Sequence, residues 1–125
     1  MELSLERPDG YLFVRRVAAR GVTLIDRELT DSFVLAPDHV EEHWPVHEVA
    51  ALGDTHIAGL LAMQPEVVLL GTGVQQVFPP AEFSAEFLRK GVGIEIMNNA
   101  AAARTYNLLA SEGRHVIAAF MLPVD

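Results

Sequence analysis

Residues 71–76, GTGVQQ, combine a glycine-rich turn with side chains that can donate and accept hydrogen bonds. The segment follows an apolar run that is typical of a buried strand, and loops at the carboxyl ends of such strands often bind ligands in open α/β sheets. Thr72, Gln75 and Gln76 could supply neutral hydrogen bonds to a small molecule there. The alternative, which the sequence favours, is that the glycines only permit tight turn conformations.

The same segment departs from the known phosphate-binding loops. Gln76 stands where the G-x-G-x-x-G fingerprint requires its third glycine, and the next predicted helix begins only after Pro79 and Pro80. The helix amides are therefore not placed directly behind the glycines, as pyrophosphate binding requires. The lysine and the hydroxyl residue of a P-loop are also missing. The sequence argues against dinucleotide or P-loop binding, and it predicts no cofactor.

Polar residues farther along the chain could complete a small-molecule site. Arg104 and Asn107 share one face of a predicted helix at spacing i, i+3, and Asn98 precedes that helix. These side chains could meet the glycine-rich loop if the ends of the two preceding strands are neighbours, and an ordinary helix surface is the alternative. The candidate ligand-binding residues are Gly71, Thr72, Gly73, Gln75, Gln76, Asn98, Arg104 and Asn107.

A histidine-rich segment suggests a different chemistry. His39, Glu42 and His43 match the H-x-x-E-H pattern of some zinc peptidases, and His47 extends the four-residue spacing. That mechanism needs both histidines and the glutamate on one helix, but the flanking prolines leave room for barely two turns. A solvated turn is the favoured interpretation, and no metal site is predicted.

The sequence contains no recognisable catalytic set. It has no cysteine, which excludes disulfides, thiolate metal sites and a cysteine nucleophile. The serines lie outside any G-x-S-x-G context, and the carboxylates do not form a pair suited to acid–base catalysis. We therefore expect no catalytic residues, and a non-enzymatic protein is favoured, although enzymatic activity stays open.

Composition favours contact with other proteins. The formal net charge is −8, and neither half carries a basic patch, so nucleic-acid binding is not expected. Hydrophobic residues make up 50% of the chain, which leaves apolar surface for a protein partner or for self-association. Trp44 is either a core residue under a loop or a partner contact. No apolar run is long enough for membrane insertion and the N-terminus lacks a signal peptide, so a cytoplasmic location is expected.

Two kinds of predicted elements carry these segments. The first half predicts short strands in MELSLE, YLFVRRV, GVTLID and DSFVLAP, then a helix in THIAGLLAM that Asp54 would cap. The second half alternates strand and helix in EVVLLG, PPAEFSAEFLRKG, GIEIM, AAAARTYNLLASEG and HVIAAFML, with Asn98 or Asn99 as the last cap. This order predicts an α/β fold: a single three-layer domain over residues 1–125, with a mixed, mostly parallel central sheet flanked by helices and a β-hairpin-rich N-terminal half.

Several segments taken together resemble one protein family. They are LLGTG, FPP, GVGIEIM and AAARTYN, and the earlier segment SFVLAPDHVEEHWPV fits the same pattern. The family comprises small α/β domains of unknown function, and it includes the mitochondrial respiratory complex I assembly factor 3 and the adipogenesis-associated domain protein. The resemblance covers most of the chain and implies a three-layer α/β domain without an established activity or cofactor.

The resemblance also implies a role in protein contact, because the eukaryotic relative acts in this way during complex I assembly. One segment departs from the family: relatives often carry a cysteine before the arginine, where this chain has Ala103 before Arg104. A thiol-dependent role could not operate here. The leading hypothesis is a non-enzymatic interaction or assembly module. The rival hypothesis is a small-molecule-binding protein or enzyme that uses the Gly71–Gln76 loop beside Asn98 and Arg104.

Overall fold

The structure is a computed structural model that describes residues 10–124. The strand predicted in MELSLE lies outside the described residues. The small sheet is antiparallel and consists of β1 (Arg16–Ala18), β2 (Gly21–Thr23) and β3 (Glu28–Leu29). The strands of the larger sheet are β4 (Phe33–Leu35), β5 (Val40–Glu42), β6 (Val67–Gly71), β7 (Gly93–Met97) and β8 (Val116–Phe120). The α-helices are α1 (Asp54–Leu61), α2 (Ala81–Arg89) and α3 (Asn99–Ser111), and a 3-10 turn spans Val49–Ala51.

The larger sheet has the strand order β5-β4-β8-β6-β7 and is mixed, as predicted. Strand β6 pairs in parallel with β7 and with β8, because each strand–helix–strand unit of the second half forms a crossover. Strand β4 pairs antiparallel with both β8 and β5. The parallel arrangement predicted from the second half is thus confirmed, and the N-terminal strands add the antiparallel pairs.

Helices cover both faces of the larger sheet, which gives the predicted three layers. On one face, α3 and the small sheet pack against Leu69 and Phe120. On the other face, α1 and α2 pack against Leu70 and Ile117. Strands β6 and β8 are therefore buried on both sides, which explains why their sequences are continuous apolar runs rather than alternating ones.

The helix caps match the sequence signals at one helix and differ at another. Helix α3 begins after Asn98, whose side-chain oxygen accepts a hydrogen bond from the amide of Ala101 at 2.8 Å. The prediction that Asp54 caps α1 is wrong, because Gly53 occupies the cap position and Asp54 is the first helical residue. An acid there still suits the positive end of the helix dipole.

The segment YLFVRRV forms a strand only at its end, from Arg16 onward. Its first residues are held by other contacts: the amide of Leu12 donates to Pro37 O at 2.8 Å, and the Tyr106 hydroxyl donates to Leu12 O at 2.8 Å. The apolar pattern that suggested a strand instead serves packing against the core beside α3.

Candidate functional site

The carboxyl ends of β6 and β7 form the point where the chain leaves the sheet in opposite directions. The loop after β6 leads to α2 on one face, and the residue after β7 leads to α3 on the other face. Diverging connections of this kind leave a crevice between neighbouring strand ends, which is where open α/β sheets bind ligands. The glycine-rich loop therefore lies at the position that the sequence predicts for it.

Two polar side chains of this loop, those of Thr72 and Gln76, are already engaged within the protein. The Thr72 hydroxyl donates to Gln75 O at 2.7 Å and accepts from the amide of Val77 at 3.0 Å. The Gln76 side-chain amide donates to Ile96 O at 2.8 Å, on strand β7. These bonds fix the loop in one conformation, and they satisfy most of the side chains that the sequence offers as ligand contacts.

Asn99 joins the ends of the parallel strands, although the sequence identified it only as a possible cap. Its side-chain oxygen accepts from the amide of Gly73 at 3.1 Å, and its side-chain nitrogen donates to Met121 O at 2.9 Å. A side chain at position 71 would collide with that oxygen, so Gly71 is required for this close approach. Asn99 is buried, with 3% of its surface exposed, and its role here is structural.

A cavity of about 230 Å³ lies beside this strand-end junction. Its lining residues are Val17, Ala18, Ala19, Gly73, Val74, Asn98, Asn99 and Ala100. The cavity therefore brings Asn98 and Gly73 together, as the sequence suggests. Its volume is below the range of about 300–1,000 Å³ that is usual for ligand pockets, and the side-chain oxygen of Asn98 already caps α3.

Arg104 and Asn107 line a different depression, of about 280 Å³. Its lining residues are Val14, Arg15, Arg16, Val17, Ala100, Ala103, Arg104 and Asn107. The Asn107 side chain accepts from the amide of Val14 and donates to its carbonyl, both at 2.9 Å. Asn107 thus binds the backbone rather than the glycine-rich loop. Sequence reasoning missed Arg15 and Arg16, because no local pattern connects them to a helix some 90 residues later.

The outer part of the loop exposes apolar side chains. Val74, Val77 and Phe78 have 67%, 46% and 68% of their surface exposed. We call residues Val74–Phe78 the apolar loop. Exposed aromatic and aliphatic side chains that are grouped on a fixed loop are characteristic of a contact surface.

Comparison with known proteins assigns a family. The model of the family described as "Protein of unknown function (DUF498/DUF598)" matches residues 14–121. The chain belongs to this family. The resemblance recognised from the sequence is confirmed, because an assembly factor of NADH dehydrogenase is among its relatives.

Three relatives illustrate the range of the similarity. A Xanthomonas campestris protein solved by NMR is 45% identical, with a TM-score of 0.82 over 98% of this chain and 92% of its own. The "13 kDa major membrane protein" of Francisella tularensis is 28% identical over 93% of this chain and 95% of its own length. The "NADH dehydrogenase [ubiquinone] 1 alpha subcomplex assembly factor 3" of Danio rerio is 31% identical over 72% of this chain and 52% of its own length.

One of these relatives is named as a membrane protein, which raises the question of whether the present chain has a helix that could span a membrane. Within residues 10–124, none of the helices has the length and apolar character needed to cross a bilayer.

The histidine-rich segment does not form the helix that zinc peptidases need. Residues 40–42 are strand β5, and His43 has a positive φ of 65°. His39 and His43 instead contact separate carboxylates, Asp38 at 2.9 Å and Asp31 at 3.0 Å. The hydrogen bond from His43 lowers the pKa of Asp31. No cluster of metal-ligating side chains occurs within the described part of the chain.

Ser32, His47 and Asp31 lie close together but lack the geometry of a catalytic triad. Ser32 Oγ lies 3.2 Å and Asp31 Oδ1 lies 3.6 Å from the same ring nitrogen, Nδ1 of His47. A triad needs the serine and the carboxylate on different ring nitrogens. Ser32 is also fully buried, and its hydroxyl accepts from the amide of Leu122 at 2.9 Å. This cluster joins the chain after β8 to the start of β4.

Trp44 is half-buried and packs against the core formed with α1 and α2. Its ring meets the His56 ring edge-on, with centroids 6.1 Å apart. The core interpretation made from the sequence thus describes this packing, and a role of Trp44 as a partner contact stays a prediction.

Proposed function

We propose that this chain is a non-enzymatic protein-interaction module that binds a protein partner through the apolar loop and the adjoining edge of β7. The observation that carries the proposal is the exposure of Val77 and Phe78 at 46% and 68% on a conformationally fixed loop. Such side chains favour burial by about 25 cal/mol per Å² of apolar surface. A partner that covers them gains this free energy without ordering the loop first.

The edge of β7 adds backbone groups to the same surface. Within residues 10–124, β7 has a strand neighbour only on the β6 side. Gly93 N and Met97 O both bond towards β6, so the backbone groups of Ile94 and Ile96 point away from it. Gln76, within the apolar loop, reaches this edge and already donates to Ile96 O, which leaves the backbone groups of Ile94 and the amide of Ile96 for a partner strand. An extended segment of a partner could therefore add a strand beside the loop.

A named relative supports the same interpretation. The Danio rerio protein carries "assembly factor" in its name, and assembly factors act by contacting other proteins. The match covers 52% of that protein, so its specific partner is not transferred to this chain. Only the general mode of action of an assembly factor, contact with other proteins, supports the present proposal.

Replacement of one exposed side chain tests the proposal. The main partner is first captured from the native cell with a tagged form of the chain. We expect Phe78→Asp to raise the Kd for this partner by about thirtyfold or more, as for a central interface residue. The matched control is Leu108→Asp on α3, since Leu108 is 59% exposed but lies away from the apolar loop. Equal recovery of the partner by both variants and the unmodified chain would contradict the proposal.

A further inference from the structure

The depression between β1 and α3 gathers positive charge in an acidic protein. Three of its eight lining residues are arginines, Arg15, Arg16 and Arg104, and none is acidic. The whole chain has only 9 lysines and arginines against 17 acids. We call this feature the arginine depression. Like charges placed together repel, so their grouping favours a bound negative charge.

Among the described residues, these three arginines lack the carboxylate partners that Arg27, Arg89 and Arg114 have. Arg27, Arg89 and Arg114 each form an ion pair, with Asp26 and Glu42, with Glu86, and with Glu66 respectively. Within residues 10–124, Arg15, Arg16 and Arg104 form no side-chain hydrogen bond or ion pair. Guanidinium groups stay charged at all physiological pH values, so three cations without a carboxylate partner among the described residues border this depression.

The backbone that carries Arg15 and Arg16 is held in place from both sides. Asn107 binds the amide and the carbonyl of Val14, both at 2.9 Å. The amide of Arg15 donates to Thr23 O at 2.7 Å, and Arg16 pairs with Thr23 in the small sheet. Arg104 lies one helical turn before Asn107 on α3. Only the side chains need to be ordered when a ligand binds, which lowers the entropic cost.

We propose that the arginine depression binds a small organic anion that carries a phosphate or carboxylate group beside an apolar body. Guanidinium groups bind both kinds of oxyanion through paired hydrogen bonds. The remaining lining, which includes Val14, Val17, Ala100 and Ala103, suits an apolar body, and the volume of about 280 Å³, just below the usual range for ligand pockets, restricts the ligand to a compact molecule. This site is separate from the apolar loop, and it does not depend on the proposed protein interaction.

An NMR titration with two simple probes tests the proposal. The unmodified chain is titrated at constant ionic strength with phenyl phosphate and with benzoate, while benzyl alcohol serves as the neutral probe. We expect saturable shifts of the amides of Val14, Arg16 and Ala103 with at least one anion. The anion that binds with the lower Kd identifies which oxyanion the site prefers.

Variants separate a specific site from general attraction of anions. Loss of one charge-assisted contact should weaken binding about tenfold in Arg104→Gln and in Arg16→Gln. Arg89→Gln is the matched control, because Arg89 is an exposed cation on α2, away from the depression, and its loss should leave binding unchanged. The proposal is overturned by shifts that do not saturate, by equal binding of benzyl alcohol, or by equal weakening in all three variants.

Discussion

At the scale of single residues, the contact between Gly71 and Asn99 determines how the strand ends meet. Gly71 leaves room for the Asn99 side-chain oxygen, and a methyl group added at position 71 would next meet Phe120 and Ala102. The same oxygen accepts from the amide of Gly73, so any displacement also costs a hydrogen bond. These residues are therefore matched to one another in shape and hydrogen bonding, which accounts for the junction without a ligand.

We expect Gly71→Ala to destabilise the protein by about 1–3 kcal/mol, because the added methyl group must displace a hydrogen-bonded atom in a packed region. Urea denaturation measures this change in the free energy of unfolding. Gly59→Ala is the control, since a methyl group there has no neighbour within 4 Å and lies in α1. That variant should be unchanged or more stable by up to about 1 kcal/mol.

At the scale of elements, helix α3 contributes residues both to the cavity beside the strand-end junction and to the arginine depression. Its start is capped by Asn98, and its length carries Asn99, Arg104, Tyr106 and Asn107 to different neighbours. Burial raises the pKa of Tyr106, so its hydroxyl stays protonated and donates to Leu12 O. Helix α3 therefore contacts the strand ends through Asn99 and the segment before the small sheet through Tyr106 and Asn107.

Removing the cap should measure its contribution to α3. We expect Asn98→Ala to lower the free energy of unfolding by about 1 kcal/mol, because the amide of Ala101 loses its acceptor. Asn98→Asp should retain the stability, since a carboxylate also accepts this bond and suits the helix dipole. Thermal unfolding of both variants provides the measurement, and equal loss in the two would contradict a capping role.

The elements of the second half could be predicted from sequence because each has a complete local signal. Helix α2 has its proline start, amphipathic stripe and glycine stop, and β6 and β8 are continuous apolar runs. The arginine depression and the hydrogen bonding of the glycine-rich loop could not be predicted from such local signals. Arg104 shares a depression with Arg15 and Arg16 through tertiary contacts alone, and the loop of Thr72 satisfies its own polar groups.

At the scale of the whole molecule, two side chains of α3 attach the segment before the small sheet to this helix, which itself packs on the larger sheet. Asn107 holds Val14, and Tyr106 holds Leu12. The backbone of Val14 has its amide and carbonyl satisfied by one side chain, which is a concentrated attachment point. Loss of Asn107 should therefore affect the two sheets unequally.

We expect Asn107→Ala to accelerate hydrogen exchange in β1, β2 and the residues just before them, while exchange in β6 and β8 stays slow. Two lost backbone hydrogen bonds correspond to about 1–3 kcal/mol of local stability. Exchange followed by mass spectrometry gives the comparison, and Arg104→Ala, one turn earlier on α3, is the control. A uniform increase over both sheets would show that the attachment is not local.

The position of β8 in the larger sheet has a consequence for biosynthesis. Strand β8 lies between β4 and β6, so it connects the strands that precede α1 in the sequence to those that follow it. During translation, β4 must wait for residues 116–120 to leave the ribosome before it acquires β8 as its second neighbour. Nascent chains would expose apolar strand edges until that moment, and early release from the ribosome would favour aggregation or capture by chaperones.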